Sequence, residues 1–122
     1  MKYATLIYSA PGSHEALSEE EYGAVFQQYM ALANDSRCVS SGELEPVETA
    51  TTVRVQDGNT MTTDGPYAET KEVFGGYYIF EADNLDEAIE LASRIPAARL
   101  GGAIEVRPVV EEPSPDRQAA ER

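Results

Sequence analysis

The chain is poor in the residues on which most reactions and most covalent staples depend. It has one cysteine, one histidine and no tryptophan in 122 residues. Cys38 alone cannot form an intramolecular disulfide, which suits a reducing compartment. It reads as a small hydrophobe at the start of a strand. As a catalytic thiol it would need a base, and the only histidine, His14, falls in an early loop and reads as a solvated loop residue. With no second histidine and no cysteine pair, neither a transition-metal site nor a cofactor is implied. Basic residues are also scarce: nine Lys and Arg stand against 22 Asp and Glu, a net charge of −13. Such an acidic surface repels phosphate backbones, and no basic stripe with interleaved aromatics offsets it, so nucleic acid is not expected as a partner. No apolar run approaches the roughly 18 residues of a membrane-crossing helix. The N-terminus, Met1 to Tyr8 followed by Pro11-Gly12, reads as a first strand rather than a signal peptide. No membrane association and a cytoplasmic location are expected.

What is present is the pattern of one α+β domain. Apolar residues make up 42% and charged residues 25%, ordinary for a globular chain long enough to bury a sizeable core. Residues 2–9 alternate and are rich in Tyr, Thr, Leu and Ile, which predicts a strand. Ser18 with Glu21 three positions on forms a capping box. After it, Tyr22, Val25, Phe26, Tyr29, Met30 and Ala33 recur at helical spacing and predict one apolar, core-facing side. The helix should end near Asn34 to Ser36. Val39 to Leu44 predicts a second strand, closed by Pro46. Thr51 to Val55, the turn Asp57-Gly58-Asn59 and Thr60 to Thr63 predict a hairpin. Gly75 to Ala82 is a strongly aromatic strand. Asn84, with Glu87 at the capping-box position, starts a second helix with Leu85, Ala88, Ile89, Ala92 and Ile95 buried and Pro96 as the stop. Ala103 to Val110 is the last strand, with Pro108 marking an edge. Residues 111–122 carry no apolar periodicity and are expected to be a disordered tail beyond a domain of residues 1–110.

The order β-α-β, hairpin, β-α-β is that of two split βαβ units, hence a ferredoxin-like antiparallel sheet with both helices on one face. The other face needs cover. Tyr3, Thr5, Ile7 and the outward residues of 75–82 are expected there, and sheet-to-sheet packing of two copies would bury them. A homodimer with a pocket at the sheet face is therefore expected.

One stretch exceeds what folding needs: Thr62 to Tyr78, in which the turn Asp64-Gly65-Pro66 is followed by Glu69, Thr70, Lys71 and Glu72 on a link between strands. Asp64 is the candidate catalytic carboxylate, as a general base beside an apolar sheet. The plainer alternative is that it caps the turn by accepting backbone N–H bonds. Glu69, Lys71 and Glu72 could orient a polar substrate, with Lys71 holding an anionic group, or form a surface ion-pair cluster. Thr70 could donate a hydroxyl or support the turn. Tyr67, Tyr77 and Tyr78 could line a pocket for a planar ligand, although strand spacing sends one of Tyr77 and Tyr78 into the core. Arg99 and Arg107 could bind a carboxylate or phosphate, or pair with local acids. Gly75-Gly76 lacks phosphate-loop spacing and more simply permits close strand or ligand approach.

The run Thr-Asp-Gly-Pro-Tyr-Ala-Glu-Thr-Lys-Glu at 63–72, then Gly-Gly-Tyr-Tyr, resembles the DGPF branch of the YCII-related proteins. Residues 49–55, Asp86-Glu87-Ala88, Ile95 to Arg99 and Glu105 to Val109 are similar to it as well, so the likeness covers about residues 1–110. Tyr67 stands where the branch name puts Phe. The resemblance implies a dimeric α+β barrel of ferredoxin-like subunits whose function is mostly unassigned. It also implies a regulatory context, because some members are encoded beside or fused to extracytoplasmic-function sigma factors. The wider family includes an enzyme acting on a chlorinated aromatic, with a His–Asp pair proposed for its members. The family positions fall near Val25 to Gln28 and near Ile95, where this chain has neither residue, so that mechanism does not carry over. Two readings follow. One is a small-molecule-binding or regulatory module, linked to a sigma-factor pathway, with Tyr67, Glu69, Thr70, Lys71, Tyr77 and Arg107 as ligand-binding residues. The other is a cofactor-independent enzyme of lyase, isomerase or hydrolase type using Asp64 as general base.

Overall fold

A computed structural model describes residues 1–111. The chain opens with strand β1 (Lys2–Ser9) and a looped turn, then helix α1 (Glu19–Ala33) and strand β2 (Cys38–Glu43). A hairpin of β3 (Thr51–Gln56) and β4 (Asn59–Asp64) follows, before β5 (Val73–Glu81), helix α2 (Leu85–Ser93) and β6 (Ala103–Pro108). Four strands pair antiparallel in the order β2-β5-β1-β6, while β3 and β4 form a separate two-stranded sheet. This is the ferredoxin-like arrangement with an inserted hairpin. β6 lies at the edge, as the absent N–H of Pro108 requires. No helix among the described residues is long and apolar enough to cross a membrane. The expected tail lies outside the described residues apart from Glu111, whose carboxylate accepts a hydrogen bond from the Lys2 N–H at 3.3 Å.

The helices start where the sequence says. The Ser18 hydroxyl accepts from the Glu21 N–H at 3.1 Å, and the Glu21 carboxylate accepts from the Ser18 N–H at 2.9 Å. These bonds hold the Glu21 carboxyl below its usual range, the backbone bond most strongly. Asn84 caps α2 by accepting from the Glu87 N–H at 2.9 Å, but Glu87 reaches back to the Asp83 N–H and to Arg37 instead of closing a box. Pro96 does not simply stop the chain: it opens a 3-10 turn, Pro96–Arg99. A further 3-10 turn, Val47–Thr49, leads into the hairpin. The hairpin turn has left-handed Asp57 (φ 51) and Gly58 (φ 79), the conformation that matches strand twist.

The core lies between the sheet and the helices. Phe80, Leu91 and Ile95 are fully enclosed, joined by Ile7, Leu32, Tyr78 and Ala97. A second cluster of Tyr3, Ala82 and Ala88 packs with Val106. Thr5 is buried among them, its hydroxyl donating to the Tyr78 carbonyl at 2.8 Å. Tyr3, Thr5 and Ile7 therefore face the helices, the reverse of the expected orientation. The uncovered set is Ala4, Leu6 and Tyr8. Both alternating sets of β1 are apolar, so periodicity fixes the alternation but not its phase.

The helix faces also differ from expectation. On α1 only Val25 and Leu32 are buried, with Tyr29 and Ala33 packed at the margin, while Tyr22, Phe26 and Met30 are exposed. The apolar arc is wider than the sheet surface it rests on. On α2, Leu85 and Ile89 are exposed and Leu91 is enclosed, a rotation of the predicted face.

Candidate functional site

The Asp64 turn is built from backbone and threonine. Gly65 takes φ 98. Its N–H donates to the Ala50 carbonyl at 2.7 Å, and the Thr52 hydroxyl donates to the Gly65 carbonyl at 2.8 Å. These two bonds close the loop at the base of the hairpin. Among the described residues no donor reaches the Asp64 carboxylate, so the expected turn-capping role is not seen. Asp64, Tyr67, Glu69, Thr70 and Lys71 are all exposed, Tyr67 at 79%. No ion pair forms among Glu69, Lys71 and Glu72, and the Thr70 hydroxyl donates to the Glu72 carbonyl, which supports the turn. Within one subunit the loop is an open arch in solvent.

Two other predicted residues lie on the uncovered sheet face. Tyr77 pairs with Leu6, and Arg107 pairs with Ala4, on the strands flanking β1. Their face carries Ala4, Leu6, Tyr8, Tyr77 and Ile79, all half-buried, with Phe74 against Tyr8 at a ring separation of 5.5 Å. Glu105, opposite Leu6, and Arg107 supply charge at its β6 edge. The Tyr77 ring lies over Gly42: a Cβ there would stand 2.8 Å from it. A Cβ at Gly76 would stand 2.7 Å from the Gly42 carbonyl oxygen, so that glycine serves close strand approach. Tyr78 points the other way, into the core, and donates to the Tyr29 carbonyl at 2.7 Å. Burial pushes its hydroxyl well above the usual phenol range. Tyr77 and Arg107 thus share a surface, and no hydrogen bond or ion pair among the described residues ties the Asp64 to Lys71 loop to either.

A polar contact that sequence reasoning passed over involves His14. Its Nε2 lies 2.8 Å from the Tyr29 hydroxyl and its Nδ1 3.1 Å from the Ser13 hydroxyl. His14 is half-buried on the helix rather than solvated. Burial raises the Tyr29 hydroxyl pKa, opposed by the Ala97 backbone and the Arg99 charge. Nothing in the spacing of residues 14 and 29 announces this contact, because the loop returns across a helix face. Cys38 is half-buried against the core, and burial pushes its thiol up, which fits the inert reading. No cluster of three or more His, Cys, Asp or Glu among the described residues could hold a metal ion.

A ferredoxin-like α+β subunit with an inserted hairpin, an aromatic sheet face and a polar loop at the hairpin base defines the class of protein. The chain belongs to the YCII-related domain family, whose model matches residues 1–113. An uncharacterized protein of Rhizobium meliloti (strain 1021) is 36% identical over 116 residues, covering 89% of this chain and 92% of that one. A solved structure, the 5-chloro-2-hydroxyhydroquinone dehydrochlorinase of Burkholderia phenoliruptrix AC1100 in complex with 2,5-dihydroxybenzoquinone, superposes with a TM-score of 0.52. It is 18% identical, and the match covers 92% of this chain and 96% of that one. At that identity the likeness establishes the fold alone.

Proposed function

We propose that the protein is a small-molecule-binding module of regulatory character, active as a homodimer, with its site where the sheet face and the Asp64 to Lys71 loop meet a second copy. One observation carries this reading: the half-buried face of Leu6, Tyr8, Tyr77 and Ile79, edged by Arg107, has no helix or hairpin laid over it among the described residues. Aromatic and aliphatic walls with a few placed polar groups are what ligand pockets are made of. The Tyr77 ring suits a planar ligand. Lys71 and Arg107 would hold its anionic group, with Tyr67, Glu69 and Thr70 closing over the polar end. A sigma-factor-linked pathway is the context that the family resemblance offers, and the cytoplasm the matching location.

The second reading is a cofactor-independent enzyme with Asp64 as general base. The fold's occurrence in a dehydrochlorinase is compatible with it. Asp64 stands in open solvent, however, whereas a general base works on a proton held within hydrogen-bond reach. Binding therefore ranks ahead of catalysis. Native mass spectrometry of the purified protein beside Asp64→Ala tests the proposal. A dimer carrying extra mass that the variant loses supports the site and reveals the ligand class. A clean dimer in both forms moves the role toward a partner protein, and a monomer removes the shared pocket.

A further inference from the structure

The opposite side of the subunit, between the helices, carries a second feature. A shallow cleft of ≈ 460 Å³ is lined by Gln28, Ala31 and Leu32 of α1, Asp35 just beyond it, Arg94 at the end of α2 and Arg99 at the end of the 3-10 turn. The acids around it are already engaged. Both Asp35 oxygens are taken by Arg37, at 2.9 and 2.8 Å, which holds the Asp35 carboxyl well below the usual range. Glu90 accepts from Arg94 at 2.9 and 2.6 Å. Arg99 differs. In a chain with 22 acids and nine bases, its guanidinium meets no carboxylate among the described residues and donates instead to the neutral Gln28 side-chain oxygen. Of the two roles open to Arg99, pairing with a local acid is not seen among the described residues.

A guanidinium presents five N–H donors in a planar fork matched to a carboxylate. Gln28 accepts only one of them, and its own amide N–H₂ points no bond at any described residue. Leu32 and Ala31 supply an apolar wall beside this fork. We propose that the cleft is a binding site for a small organic carboxylate, with the Arg99 fork and the Gln28 amide holding the carboxylate and the short apolar body lying along Ala31 and Leu32. Arg94 at the rim is already paired with Glu90, which leaves the carboxylate to Arg99. The site lies on the helical side of the sheet, so it stays open when the opposite sheet face is covered, and it is independent of the proposed ligand site at the Asp64 loop.

Titration of the ¹⁵N-labelled full chain with butyrate, a short aliphatic carboxylate without the flat ring suited to Tyr77, followed by NMR, tests this. The expected result is a saturable shift confined to Gln28, Ala31, Leu32, Arg94 and the Arg99 Nε, with Arg99→Gln weakening binding about tenfold or more, as for loss of a charge-assisted hydrogen bond. Arg99→Lys, which keeps the charge and loses the fork, should recover only part of the affinity, and Arg54→Gln, in the exposed hairpin, should leave it unchanged. Arg99 is exposed, so a thermal melt of Arg99→Gln should match the wild type and exclude misfolding. Shifts that do not saturate, that spread over the other arginines, or that persist unchanged in Arg99→Gln would overturn the assignment. Binding that is lost equally in Arg107→Gln would place the carboxylate on the sheet face instead.

Discussion

The body of the subunit and its hairpin use similar strand chemistry and reach opposite ends. In the body, the aromatic and β-branched residues of β1 and β5 find a helical layer, and Phe80 is wholly enclosed. In the hairpin, Val53, Val55 and Met61 stay exposed at 59%, 68% and 47%, and the two strands pack on no other helix or strand among the described residues more than marginally. A two-stranded ribbon of this kind is marginal alone in water. Its Asp57-Gly58 turn and the Gly65 and Thr52 bonds at its base set its shape without giving its apolar side chains a surface. The uncovered sheet face repeats the condition on a larger scale. Burial within one chain accounts for the body, and a second copy is the proposed cover for the rest.

The sharpest way to separate the two regions is truncation at matched positions. Phe80→Ala should lower unfolding free energy by about 3–5 kcal/mol, the cost of a large buried cavity. Val55→Ala should change it by less than about 0.5 kcal/mol under dilute conditions, as for an exposed residue. Urea denaturation reads both, and equal losses would mean that the hairpin belongs to the subunit core. Ser18→Ala removes the cap of α1 and should cost about 1 kcal/mol in the same measurement, whereas Ser13→Ala, outside the helix, should cost less. A further effect, smaller than that of the cap, is pH-dependent. The folded Asp35 carboxyl is held below its ordinary value of 3.8 by Arg37, so its contribution is present above that pH and lost as pH falls toward the folded value. Asp35→Asn should therefore be destabilising at neutral pH and converge with the wild type in strong acid. The pair is partly exposed, which keeps the loss below that of the cap.

Much of the fold was legible in the sequence because its signals are local. The Ser18 box, the Asn84 cap, the Asp57-Gly58 turn and the β-α-β order each depend on neighbours within a few residues. Facing is not local. β1 carries apolar residues in both alternating sets, since Leu6 and Tyr8 serve the open face while Tyr3 and Ile7 serve the core. The stripe of Tyr22, Phe26 and Met30 reads as core until the width of the sheet beneath α1 is known. For the candidate site, Tyr77 and Arg107 were placed together only by strand register. The His14 to Tyr29 contact and the Arg99 to Gln28 contact needed the tertiary structure, because they join segments with no shared periodicity.

The claim that the ligand site needs a second copy is tested most directly by sedimentation equilibrium of the wild type beside Leu6→Glu, which places a charge in the middle of the open sheet face. The expected result is twice the chain mass for the wild type and the single-chain mass for the variant, with the same circular dichroism spectrum. A wild type that sediments at the single-chain mass across the concentration range would contradict it.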